Sequence, residues 1–278
     1  MYGFCCPSQI LQWFSRSGFR SFVWKWFWLP AFQASDSLQV DKQVRNEYKQ
    51  TDFSEEQAVK LLSISDKQYR LLHSPGVRER FGDADFVIGC GDLPYYYLEY
   101  ISETLRVPLF YVRGNHNFPE EFYRAGALKS PRGCLDLHRR LRHWNGILLA
   151  GVEGSLQYNN RGYYQSTQSE MWLHVFSLVP GMLLNKWRYG RYLDIFVSHA
   201  PPWDIHDEKD RTHQGIKAFR WLLQTFQPHY HFHGHIHVYQ LDTQTETQFG
   251  KTLIINTYGF RETMLELSAN QNGHRRFA

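Results

Sequence analysis

Short apolar runs recur along the middle of this 278-residue chain, and each stops at a loop of chemistry-bearing side chains. Val59 to Ser65, Asp85 to Gly89, Val107 to Val112, Ile147 to Val152 and Leu193 to Ser198 read as buried strands. Between them, Tyr96 to Leu105, Gln168 to Asn185 and Gly215 to Phe226 carry helix-like spacing. Strands alternating with helices predict an α/β fold. Toward the end, Val238 to Asp242 and Thr252 to Thr257 read as β-rich.

In sheets of this kind, functional residues gather beyond the carboxyl ends of the strands. The loops there are Ser65-Asp66-Lys67-Gln68, Gly91-Asp92, Gly114-Asn115-His116-Asn117, Ser198-His199 and Gly234-His235-Ile236-His237. Five separate segments thus deliver a carboxylate, an amide or an imidazole to one sheet edge. The last belongs to a run in which His229, His231, His233, His235 and His237 alternate. Side chains two apart on a strand share a face, and imidazole is the commonest protein metal ligand. A metal site is the first reading of that run. The alternatives are a solvated histidine tract, or strand histidines hydrogen-bonded in the core.

Composition sets broad limits. Hydrophobic residues at 42% and charged residues at 21% are those of an ordinary globular protein. The net charge of +4, from 31 basic and 27 acidic residues, gives no strong argument for nucleic acid. Four cysteines without a CxxC pair suggest reduced thiols and a cytoplasmic setting.

Residues 1–35 differ from the body. Ile10 to Phe32 is crowded with aromatics and carries Arg16, Arg20 and Lys25 but no acid. The charges break it too often for a spanning helix, and Lys25 interrupts any secretory apolar core. This segment reads as an N-terminal arm, packed or poorly ordered. Peripheral membrane contact is the alternative, with Cys5 and Cys6 as acylation candidates. A polar linker over residues 36–58 then leads to one domain over residues 59–270.

The loop motifs together resemble the calcineurin-like metallophosphoesterases. Their signature is Asp-x-His, Gly-Asp, Gly-Asn-His-(Asp/Glu), (Gly/Ser)-His and Gly-His-x-His in order, and the resemblance spans roughly Val59 to Gly259. It implies a four-layer α/β/β/α sandwich and a di-metal centre hydrolysing phosphate mono- or diesters. By the same resemblance, Asp92 bridges two divalent ions, manganese, iron, zinc or similar. Asn115, His199 and His235 complete one site, and Asp66 and His237 belong to the other. Such a pair of ions makes hydroxide available near neutral pH and neutralises phosphoryl charge. His116 resembles the family's general acid.

Two positions depart from the signature. Gln68 stands where the first motif has histidine, so it is at best a weak ligand. The first site uses Gln68 and water, binds its ion loosely or stays empty, and the alternative is that Gln68 is no ligand at all. Asn117 replaces the usual Asp or Glu, removing a charge that could orient His116. These losses keep open a second reading, a catalytically impaired scaffold or binding protein. Arg113, Tyr95 and His206 are candidates to stand near the substrate. Ion pairing for Arg113, helix packing for Tyr95 and a solvated loop for His206 are the alternatives. A small phosphoester is the expected partner.

Overall fold

The computed structural model describes residues 58–267 apart from 124–125, 160–161 and 241. The expected arm over residues 1–35, the linker over 36–58 except Ala58, and the domain's last residues 268–270 lie outside the described residues. Two large sheets carry the fold. The first has five strands in the order β15 (Gly259–Leu265), β1 (Val59–Ser65), β2 (Phe86–Gly89), β3 (Leu109–Tyr111) and β6 (Leu135–Asp136). The second has six, in the order β13 (Glu246–Phe249), β14 (Thr252–Asn256), β12 (Tyr230–His233), β11 (Ile195–Ser198), β8 (Ile147–Val152) and β7 (Leu141–Trp144). Two small ribbons pair β4 (Glu121–Tyr123) with β5 (Gly126–Leu128), and β9 (Ser155–Leu156) with β10 (Gln165–Ser166).

In these two large sheets the interior strands are parallel, and every edge strand but β6 is antiparallel to its neighbour. β1, β2, β3 and β6 run together, as do β8, β11, β12 and β14. β15, β7 and β13 run against their neighbours. Every residue of β2, β8, β11 and β12 is buried. Parallel strands covered on both faces need such continuous apolar runs, which is why the sequence reads them plainly. The fold is mixed α/β.

Helices α1 (Gly76–Phe81), α2 (Tyr95–Leu105), α3 (Gln168–Tyr189) and α4 (Lys217–Phe226) supply the remaining cover. Leu62, Ile64, Val87 and Leu109 of the first sheet share a core cluster with Phe81, Leu98 and Ile101. Leu61, Phe86, Ile88 and Phe110 cluster instead with Leu149, Ile195, Val197 and Phe232 of the second sheet. A third cluster joins Leu148, Ala150 and Phe196 to Met171, Val175, Phe219 and Leu222 of the last two helices. Adjacent residues such as Leu61 and Leu62 enter different clusters because side chains alternate across a strand. α3 starts at a capping box, with Thr167 and Glu170 bonding each other's backbone, and stops at left-handed Gly190. That stop lets it run past Asn185, the expected end.

The expected strand at 238–242 is not formed by its described residues. Tyr239 is exposed and its hydroxyl meets His237 Nδ1 at 2.7 Å, so the chain follows the loop of the histidine motif. The edge strand lies later, at β13. Five loops nevertheless leave the carboxyl ends of β1, β2, β3, β11 and β12 carrying Asp66, Asp92, Asn115, His199 and His235.

Candidate metal centre

Backbone strain marks the loops where these strands end. Asp66, Asp92 and His235 all have positive φ, at 63°, 56° and 67°. Left-handed backbone at a non-glycine residue costs of order 1–3 kcal/mol and persists only where the surroundings impose it. Here the surroundings are the other loops. Both carboxylate oxygens of Asp66 accept the His235 N–H, each at 3.1 Å. Asp92 Oδ1 accepts the His116 N–H at 2.8 Å. A Cβ on Gly114 would strike the Asp92 carboxylate, and one on Gly234 would strike Ser65 Oγ and the Asp66 carboxylate. Those two motif glycines are therefore required by close approach.

Hydrogen bonding on the far side of each imidazole decides what faces the centre. His199 Nδ1 lies 2.8 Å from the Cys90 carbonyl, and His235 Nε2 lies 2.9 Å from the Thr212 carbonyl. A carbonyl only accepts, so those nitrogens carry the protons. The opposite nitrogens, His199 Nε2 and His235 Nδ1, face the centre and stand 3.2 Å apart. Asn115 Oδ1 is 3.0 Å from His199 Nε2, and Asp92 Oδ2 is 3.2 Å from it. Asn115 is turned this way because its Nδ2 donates to Tyr158 Oη at 3.1 Å.

Four lone-pair atoms thus converge with no donor among them unless His199 takes a second proton. Burial opposes that proton, yet Asp92 beside the ring lifts the His199 pKa to about 9. Burial likewise works against the Asp92 anion, but His199 brings its pKa down to about 2. Burial and the neighbouring His199 keep His235 neutral, at about 3. The cluster demands one positive charge at its middle. Imidazole nitrogens, a carboxylate and an amide oxygen are the donor set of a divalent transition ion, so the residues fit a metal.

Asp66 and His237 stand beside this group. His237 Nε2 is 4.0 Å from Asp66 Oδ1, with the imidazole partly exposed and the carboxylate buried. Burial raises the Asp66 pKa, with the Asp92 charge adding to it and His199 opposing. Exposed Gln68 points its amide oxygen at Tyr96 Oη, 2.6 Å away. His116 is exposed at the same loop edge.

The three substrate-proximal candidates are engaged elsewhere. Arg113 spends its guanidinium on Glu153, Asp136, Tyr95 and Tyr111, at 3.0–3.5 Å. Tyr95 is buried, accepting from Arg113 and donating to the Phe118 carbonyl. His206 bridges His233 Nε2 and Thr247 Oγ1, both at 2.9 Å, which ties its loop to the second sheet. His231 and His233 are buried in β12, and His229 lies 3.7 Å from Asp194. Tyr158 and the Cys90 and Thr212 carbonyls complete the centre without any sequence motif. A carbonyl can come from any residue, so no signal marks these two.

Asn117 serves an architectural role that the sequence reading misses. Its Oδ1 accepts the N–H groups of Gly114 and Asp92 at 2.8 and 3.0 Å, and its Nδ2 donates to the Leu93 carbonyl at 2.9 Å. The amide therefore clamps two ligand-bearing loops, and its donor is one a carboxylate lacks. Asn117→Ala removes the partner of three backbone groups, two of them in buried bonds, and is expected to lower stability by about 1–3 kcal/mol. Urea denaturation checks this: an unchanged midpoint would contradict it, whereas Asn117→Asp, keeping both acceptor bonds, should lose less.

Comparison with known proteins accords with this geometry. No curated protein matches the chain. One solved structure shares 14% identity and a TM-score of 0.52, covering 75% of this chain and 95% of its own. TT1561 of Thermus thermophilus shares 18% identity at TM-score 0.49, over 73% of this chain and 90% of its own. The phosphopantetheinyl hydrolase PptH of Mycobacterium tuberculosis shares 12% at 0.46, over 72% and 89%. The sequence pattern of the calcineurin-like phosphoesterases matches residues 66–239, which is more than half of the chain and includes every residue of the centre. The chain belongs to the calcineurin-like phosphoesterases, a family of metal-dependent phosphoester hydrolases.

Proposed function

We propose that this protein hydrolyses phosphate mono- or diesters at a centre of two divalent ions, manganese, iron, zinc or similar. The observation that carries the reading is the convergence of His199 Nε2, His235 Nδ1, Asn115 Oδ1 and Asp92 Oδ2 on one buried point. His199, His235, Asn115 and Asp92 would hold one ion. Asp66 and His237, sharing Asp92, would hold the other, with Gln68 or water completing a weaker set. When bound, two such ions make hydroxide available near neutral pH and offset the phosphoryl charge.

The protein's own groups do the rest. Asp92 stays anionic and binds the His116 backbone, which keeps the general acid at the edge of the centre. His116, exposed there, gives its proton to the departing oxygen. Arg113 takes no part in phosphate binding, because its charge is already balanced by Glu153 and Asp136.

With manganese, purified protein is expected to release nitrophenol from p-nitrophenyl phosphate or its bis-ester. Chelation should remove the activity, and returning the ion should restore it. A folded protein inert toward both esters with manganese, zinc and iron would instead favour the impaired scaffold.

A further inference from the structure

A surface helix ordinarily turns an apolar stripe to the core and polar residues to water. α3 does the first and not the second. Met171, Val175, Leu178 and Met182 are buried in the core cluster beneath it. On its outer side Leu173, Phe176, Leu183, Leu184 and Trp187 are exposed, Leu173 by 66% and Trp187 by 77%. Leu173 and Phe176 are three residues apart, two helical turns separate Phe176 from Leu183, and Leu183 and Leu184 lie four and three residues before Trp187. They therefore share one face, a stripe about 21 Å long. Phe176 widens the patch, since its ring lies 5.4 Å from both Trp172 and Trp221, the latter on α4. Lys186 and Arg188 flank Trp187, and no acid follows Glu170 in the helix.

We propose that this face of α3 lies flat on an anionic lipid surface. With its inner side held in the core, the helix is fixed along the domain surface and cannot turn to insert. Among the described residues, no helix is long and apolar enough to cross a membrane. Leucine and aromatic side chains on one side with lysine and arginine at the margin form the interfacial pattern. Those cations meet anionic headgroups.

Charge argues against the other occupants. The chain's own segment from Ile10 to Phe32 is apolar enough, but it carries Arg16, Arg20 and Lys25 without an acid. It repeats the sign of the helix face instead of opposing it, whereas an anionic bilayer complements both. A second copy would bring the same cations to the same face.

Co-sedimentation of the full-length protein with phosphatidylcholine vesicles, with and without phosphatidylglycerol, tests the proposal. Wild type should pellet with the anionic vesicles and be released by salt. The variant carrying Leu173→Glu, Leu184→Glu and Trp187→Glu should partition at least about tenfold more weakly while keeping its circular dichroism. Lys186→Glu with Arg188→Glu should weaken binding to the anionic vesicles. Three results would overturn the idea. One is wild type that never pellets, and another is a triple variant that pellets like wild type, as when residues 1–57 bind alone. The third is a wild-type dimer in vesicle-free sedimentation velocity that the triple substitution splits.

Discussion

Asp92→Asn is expected to cut metal-dependent turnover of an aryl phosphate by about 10²–10³-fold or more, the scale of removing one directly acting electrostatic group. The substitution keeps the shape of the side chain, so the bond from the His116 N–H to Oδ1 can survive. What changes is the atom facing His199 Nε2 at 3.2 Å. A carboxylate oxygen there gives a negative charge, whereas an amide gives none. Among the groups within 3.2 Å of His199 Nε2, Asp92 is the carboxylate, beside a neutral amide and a neutral imidazole. Metal content measured on the same preparations should fall in parallel with kcat/KM. Full activity at full metal content would remove Asp92 from the centre.

That prediction draws on residues the sequence already groups by motif, and the distinction between legible and hidden features is physical. The parallel strands are legible because burial on both faces forces uninterrupted apolar runs, as in Phe86–Gly89 and Ile195–Ser198. The mixed α/β class follows from their alternation with helices. Edge strands are not so constrained. β13 alternates exposed and half-buried residues, and β15 is buried only at its two ends, so neither announces itself against the loops nearby. Val238 to Asp242 misleads for the opposite reason, being β-prone locally but committed by His237 and Tyr239 to the loop of the centre.

The site divides in the same way. Motif residues carry their chemistry in their own side chains, so the resemblance to the family signature brings Asp92, Asn115, His199 and His235 into consideration. Partners from distant segments decide the others. Arg113 reads as either a phosphate contact or one half of an ion pair, and Asp136 and Glu153, 23 and 40 residues away, are the partners that hold it. Asn117 reads as a lost charge until its three backbone bonds are visible. His206 reads as a mouth residue or part of a solvated loop, and Thr247 and His233 hold its ring instead. In each case at least one partner comes from a distant segment, which the local sequence cannot name.

His116→Ala is expected to separate two kinds of substrate. An alkyl ester must leave as an alkoxide, which needs a proton during bond cleavage. If His116 is the general acid proposed above, its loss should slow such an ester by about 10²–10⁴-fold. A nitrophenyl ester leaves as a stabilised anion and should be slowed far less. The structure makes the comparison clean, because position 116 is anchored through its backbone. Its N–H bonds Asp92 Oδ1 at 2.8 Å, and alanine keeps that bond. Asp92 therefore holds its place beside His199, and metal content should match wild type, unlike Asp92→Asn. Equal slowing of both esters, or a fall in bound metal, would mean that the imidazole positions the centre and does not deliver the proton. With metal retained and only the alkyl ester slowed, the proton to the departing oxygen comes from His116.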